Sequence, residues 1–163
     1  LLYLRSNINI IFLLSAFISN KSSNKTLIKT NADIAKLISK ANKIAIAKPE
    51  LAPYGKAAIE YLKAEGLWDR AKDKLIYGDN IGVATMYVTS GAADVGFTAL
   101  SLASSAEVAK ETSYIVLDDK QYQPITQRMI LMKGAPKEAI DLYQFMQGSQ
   151  AKAVLQKFGY TTP

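Results

Sequence analysis

Without a single cysteine or histidine among its 163 residues, this chain must do any chemistry with carboxylates, hydroxyls, lysines or its own backbone. Thiolate and imidazole metal ligands, disulfides and the two commonest nucleophile-activating groups are all excluded. The absence of cysteine suits an exported and a cytosolic protein equally. The candidate carboxylates are Asp79, Asp94, Asp118 and Asp119. Asp94, in "SGAADVGF", stands where an Asx-type cap of a turn is expected, and Asp118-Asp119 precede a polar turn and read as solvated. None is paired with a nucleophile or a metal partner, which removes much enzymology and leaves an enzyme with a phosphate-binding helix terminus disfavoured.

The backbone offers more. "LAPYGKAAIEYL" and "YGDNIGVATMYV" each follow a predicted strand and open a predicted helix, and ligands of open α/β sheets bind at such carboxyl-end crevices. A helix N-terminus has main-chain N–H groups without intrahelical partners and the positive end of the dipole, so it can donate to an anion with no cationic side chain. Pro53, Tyr54 and Gly55 form the first junction, with Tyr54 and Gly55 as N–H donors and glycine allowing close approach of an oxyanion. Asn80, Ile81 and Gly82 form the second. Two simpler readings stand beside this one: Gly55 as a tight turn, and Asn80 as an N-cap that satisfies its own helix. Lys56 does not make a phosphate loop, because "PYGKAA" lacks the G-x-x-x-x-G-K-[ST] spacing.

Short β-rich runs alternate with helical periodicity from Lys43 onward, the pattern of βα units around a mostly parallel sheet. Strands are expected at 43–47, 74–78, 94–100, 113–119 and 126–134. Helices are expected at 54–65, 80–89 and 101–110, with two more between 136 and 158, broken near Gly148. Ala58, Tyr61 and Leu62 mark the buried stripe of the first helix, and Ile81, Ala84, Met86 and Val88 that of the second. Ala139, Leu142, Tyr143, Met146, Ala153 and Leu155 recur at helical spacing near the C-terminus. The aromatic residues Tyr61, Trp68, Tyr77, Tyr87 and Phe97 read as core.

Charge divides the chain unevenly. Residues 1–49 carry eight Lys/Arg against one acid, a balance of +7, and the remainder twelve basic against thirteen acidic groups, a balance of −1. A basic segment without interleaved aromatics, joined to a neutral body, predicts no nucleic-acid binding. The apolar run Ile8–Ile18 falls well short of the ~20 residues a bilayer-spanning helix needs. It matches either the h-region of a secretory signal or an internal strand.

"IAIAKPELAPYGKAAIEYL", "GDNI" and "SGAADVGFTALS", in this order and spacing, resemble the second lobe of molybdate-binding proteins, the periplasmic components of ABC importers for molybdate and tungstate. The resemblance runs from about Lys43 to the C-terminus, where "YQPITQRMILMKG" and "FMQGSQAKAVLQKFGY" are similar to the segment that returns to the first lobe. It implies an α/β fold of the periplasmic-binding-protein type II-like class, with one complete lobe plus the C-terminal return segment of the other. The implied division is 1–42 as a divergent N-terminal segment, signal-like or an inter-lobe crossover, 43–120 as the second lobe, and 121–163 as the return strand and helices.

The resemblance further implies that Tyr54 and Ile81 donate their backbone N–H groups to a tetrahedral oxyanion, flanked by Pro53, Gly55 and Asn80. A tyrosine that some members add has no counterpart here, since Ala99 occupies its position. The serine loops of the family's first lobe, "A-A-S-L" and "S-S", also lack counterparts, so the chain is expected to hold half of a clamp and to leave the apolar face of its last helices exposed. The implied ligand is molybdate or tungstate with no cofactor. The implied partner is an ABC permease, and the implied setting is periplasmic or extracytoplasmic, in association with the membrane or free of it, as a monomer. The alternatives are an effector-sensing lobe of a transcription regulator and a fragment that binds nothing.

Overall fold

The computed structural model describes residues 4–24 and 27–162, with side chains from Ile11 onward. Two consecutive strands, β1 (Leu4–Leu13) and β2 (Ser15–Asn20), lie in different sheets. The chain accordingly forms two compact units, one of residues 14–123 and one of 1–13 with 124–163. The run Ile8–Ile18, compatible with an h-region or a strand in the sequence, is therefore strand. Residues 14–42, expected to be a divergent segment outside the lobe, belong to the larger unit, whose boundary lies at 123 and not 120.

In the larger unit, β2 is followed by α1 (Asn31–Lys40), β3 (Ile44–Ala47), α2 (Pro53–Ala64), α3 (Trp68–Ala71), β4 (Leu75–Gly78), α4 (Ile81–Thr89), β5 (Val95–Ala99), α5 (Leu100–Ala103), α6 (Ala106–Glu111) and β6 (Thr112–Val116). The five strands are ordered β4-β3-β5-β2-β6. β3 is parallel to β4 and β5, whereas β2 is antiparallel to β5 and β6. The sheet is thus mixed, not mostly parallel. The single helix expected over 101–110 is two short ones, separated at Ser104-Ser105, where the Ser105 hydroxyl caps α6.

Both faces of the central strands are covered. "SAFISN" of β2 and "IAIA" of β3 are buried throughout. On one face Phe17 meets Phe97 edge-on at 5.2 Å, and Tyr61 of α2 lies 5.9 Å from Phe97. On the other, Ala16, Ile18 and Ala45 pack with Val88 of α4 and Ala93 and Ala103. Burying an aromatic ring stabilises by roughly 1.5–3 kcal/mol, so this aromatic cluster and the aliphatic one opposite it hold α2 and α4 on opposite faces. Tyr77, expected in the core, is exposed because β4 is an edge strand, and Met86 lies on the outer face of α4.

Helix α1 follows from a capping box: the Thr30 hydroxyl accepts from the Asp33 amide, and the Asp33 carboxylate accepts from the Thr30 amide at 3.0 Å. Ile34, Leu37 and Ile38 then fall on one buried stripe.

In the smaller unit, β1 lies between β7 (Ile125–Met132) and the two-residue β8 (Tyr160–Thr161), antiparallel to both. α7 (Lys137–Phe145) and α8 (Ser149–Lys157) come between them in the chain, separated by Gly148. Tyr143, Ala151 and Leu131 are buried, but Leu142, Phe145, Ile130, Val154 and Phe158 are each at least half exposed. Leu142 and Ala153, which recur at helical spacing with the buried Tyr143, are exposed. No described helix is long and apolar enough to cross a membrane.

Candidate functional site

The parallel pairing of β3 with β4 sets Ala47 opposite Gly78, so the chain leaves both strands at the same carboxyl edge. From Ala47 it turns at once. The Lys48 amide donates to the Gly78 carbonyl at 2.8 Å, while the Leu51 and Ala52 amides close a turn on the Lys48 carbonyl. Helix α2 then starts at Pro53, whose fixed φ suits the first helical position and which has no N–H to satisfy. Ala52, the N-cap, supplies no side-chain acceptor. Tyr54 is therefore the first residue of the helix that carries a main-chain donor.

The second junction is built differently. The Asn80 side chain accepts from the Val83 amide at 3.0 Å, and the Asn80 carbonyl accepts from the Ala84 amide at 3.1 Å. Asn80 is thus the N-cap that one sequence reading assigned it. Ile81 and Gly82 occupy the first two helical positions of α4, and their amides have no protein acceptor among the described residues. The Thr85 hydroxyl holds this first turn to the sheet, bonding the Ile81 carbonyl at 2.7 Å and the buried Thr98 hydroxyl of β5 at 2.5 Å.

Gly55 sits in a turn, as one of the two sequence readings had it, and close packing requires it there. Its amide donates to the Ala52 carbonyl at 3.0 Å, and an added Cβ would lie 2.1 Å from the Ala47 carbonyl oxygen. The glycine admits the end of β3 to the first turn of α2, and its amide is engaged within that turn. Gly78 plays the matching part at the second junction, where a Cβ would come within 2.5 Å of the Ala84 amide. Both helices start closer to their strands than any residue with a side chain would permit.

One ion pair joins the two loops. Lys48 Nζ lies 2.5 Å from Asp79 Oδ1 on the exposed rim, and the hydrogen bond and charge of Asp79 raise the lysine's pKa above its ordinary value. The sequence reading weighed Asp79 as an acid or base and did not pair it, because its partner lies 31 positions earlier. Lys56 is exposed on α2, and Ala99 is buried and presents no hydroxyl.

The other carboxylates are structural. Asp94 Oδ2 accepts from the amides of Asn42 (2.8 Å) and Lys43 (3.1 Å), so it fixes the entry to β3, where a local turn cap was expected. Asp118 Oδ1 accepts from the Lys120 amide, and both Asp118 and Asp119 are exposed. The Tyr61 hydroxyl is buried without a hydrogen-bond partner among the described residues, and burial pushes its pKa up. No cluster of acidic residues suited to a metal ion occurs among the described residues.

A mixed α/β unit with two glycine-seated helix starts on adjacent parallel strands has the form of a solute-binding lobe, and the chain belongs to the bacterial extracellular solute-binding protein family, whose model matches residues 5–161. It is similar to the molybdate-binding protein ModA of Rhodobacter capsulatus, 37% identical over 121 residues that make up 73% of this chain and 47% of the relative. ModA of Azotobacter vinelandii is 36% identical over 120 residues, again covering 47% of the relative. The solved structure of the Azotobacter vinelandii periplasmic molybdate-binding protein superposes with a TM-score of 0.81 at 26% identity, over 99% of this chain and 70% of that one. The fold is therefore that of the ModA structures, and the chain spans about half the length of the curated relatives it matches.

Proposed function

We propose that residues 14–123 form an oxyanion-binding lobe of an importer's solute receptor, with molybdate or tungstate as cargo. The observation that carries this reading is the pairing of β3 with β4, Ala47 opposite Gly78, which starts α2 and α4 from one sheet edge. Tyr54 at the second position of α2 and Ile81 at the first of α4 are the proposed main-chain donors, with Pro53, Gly55 and Asn80 shaping the two turns. Neutral N–H donors select an unprotonated dianion, because they offer no acceptor for the proton of a protonated one. Capture outside the cytoplasm and delivery to an ABC permease complete the proposal, with the protein acting as a monomer, without nucleic acid and without catalysis. Names of relatives that bind molybdate, and sequence identity above one third over 121 and 120 residues, support it.

Ile81→Pro tests the donor directly. Proline is tolerated at the first helical position and removes only the N–H, and the extended backbone of Asn80 (φ −147°, ψ 174°) is the conformation a following proline demands. Loss of one charge-assisted bond of about 1.5–3 kcal/mol weakens molybdate binding by roughly 10- to 150-fold at unchanged helix content. Calorimetric titration with molybdate, tungstate, sulfate and phosphate is the assay. It is run on the chain itself and on a fusion that supplies the part of the Rhodobacter relative outside the match. Equal affinity of the proline variant sinks Ile81 as a donor; no binding by either form sinks the receptor reading.

A further inference from the structure

We infer that Lys48 and Asp79 form a positioning clasp that sets the separation of the two donor loops. Lys48 is the first residue after β3 and Asp79 the first after β4. They are joined twice: by the Nζ–Oδ1 pair at 2.5 Å and by the main-chain bond from the Lys48 amide to the carbonyl of Gly78, the residue before Asp79. Each is also the root of a donor loop. The Lys48 carbonyl closes the turn that leads into Pro53, and Asp79 is followed at once by the Asn80 cap of α4. Movement of Tyr54 relative to Ile81 therefore has to strain the clasp.

With side chains 44% and 73% exposed, the pair adds little to global stability, as is usual for surface pairs. Its effect is confined to the loops it ties. An ammonium held by a carboxylate is also withdrawn from any anion nearby, which leaves selection to the neutral N–H groups. What the clasp serves rests on the anion-site reading; that the clasp couples the loops does not.

Amide hydrogen exchange of the segments 48–56 and 79–85 tests the coupling without any ligand. Lys48→Met and Asp79→Asn are each expected to speed exchange in both segments by about two- to fivefold, the range set by exposed ion pairs, with exchange across 106–116 unchanged. The charge-swapped double variant, Lys48→Asp with Asp79→Lys, is expected to restore protection in both. Faster exchange only in the substituted loop, or in neither, overturns the clasp.

Titration with molybdate supplies a second readout on whichever form binds. Positioning requires both single variants to lose affinity and the swap to regain it, whereas opposite signs for the two variants would mark a charge effect and overturn positioning. If no form binds molybdate, the receptor reading fails and the exchange experiment still decides the clasp.

Discussion

Replacing Gly55 by alanine puts the packing of the first donor loop to a numerical test. The new Cβ would stand 2.1 Å from the Ala47 carbonyl oxygen and 3.0 Å from the Pro49 nitrogen. Both are backbone atoms, so no side chain can rotate away, and α2 must retreat from β3 by more than an ångström. Overpacking of this kind costs about 1–3 kcal/mol, and the upper end applies where backbone must move. Alanine in a helix regains roughly 0.5–1 kcal/mol over glycine, which leaves a net loss of about 2 kcal/mol. Gly82→Ala is the control: its Cβ would meet only the Asn80 Oδ1 side-chain atom, at 3.1 Å, and the same helix gain offsets that contact.

Urea unfolding followed by the fluorescence of Trp68, the sole tryptophan and a residue of the larger unit, separates the two variants. With a urea slope of about 2 kcal/mol per molar, the Gly55 variant's midpoint falls by about 1 M while that of the Gly82 variant stays close to the parent. A Gly55 variant that melts at or above the parent would refute the close approach of β3 and α2. So would an equal fall in the Gly82 variant.

Two further predictions concern the carboxylates that hold backbone. Asp33 accepts from the Lys29 and Thr30 amides and the Thr30 hydroxyl, and these bonds, the Lys29 amide foremost, hold its carboxyl below the ordinary value of 3.8. A depressed carboxyl stabilises fully above its unfolded value and loses that contribution as pH falls through the folded one. The melting difference between the parent and Asp33→Asn should hold steady from neutral pH down to about pH 5 and close below about pH 4; a gap that widens in acid contradicts the capping box. Asp94→Ala hands the exposed Asn42 and Lys43 amides to water and should cost about 0.5–1.5 kcal/mol in the same urea assay. Asp94→Asn, which keeps one oxygen, should lose less; equal losses would mean that the two amides find other partners.

Local signals were enough for much of the larger unit. β-branched and aromatic runs marked β3 to β6, and Asn80 declared the start of α4 because an N-cap bonds within its own first turn. The Thr30-Asp33 capping box and the spacing of Ile34, Leu37 and Ile38 were also present in the sequence, and they are the signal by which α1 could have been placed.

Strand direction was not legible, since it depends on which strands pair. β2 enters between β5 and β6 and makes a mixed sheet of what βα alternation alone describes as parallel. The same pairing settled whether Ile8–Ile18 is strand. It also left Tyr77 on an exposed edge, although its residue type suits a core.

The sequence by itself determined the repertoire: no thiol, no imidazole, no paired acid and base, and two glycine-bearing junctions where strand gives way to helix. Only the tertiary structure decided what those junctions are. The register of β3 and β4 sets them on one edge, makes Gly55 a seat for the Ala47 carbonyl, and brings Lys48 to Asp79 across 31 residues. Propensity and capping act within a few residues, whereas contact between distant residues exists only once the strands that carry them have paired.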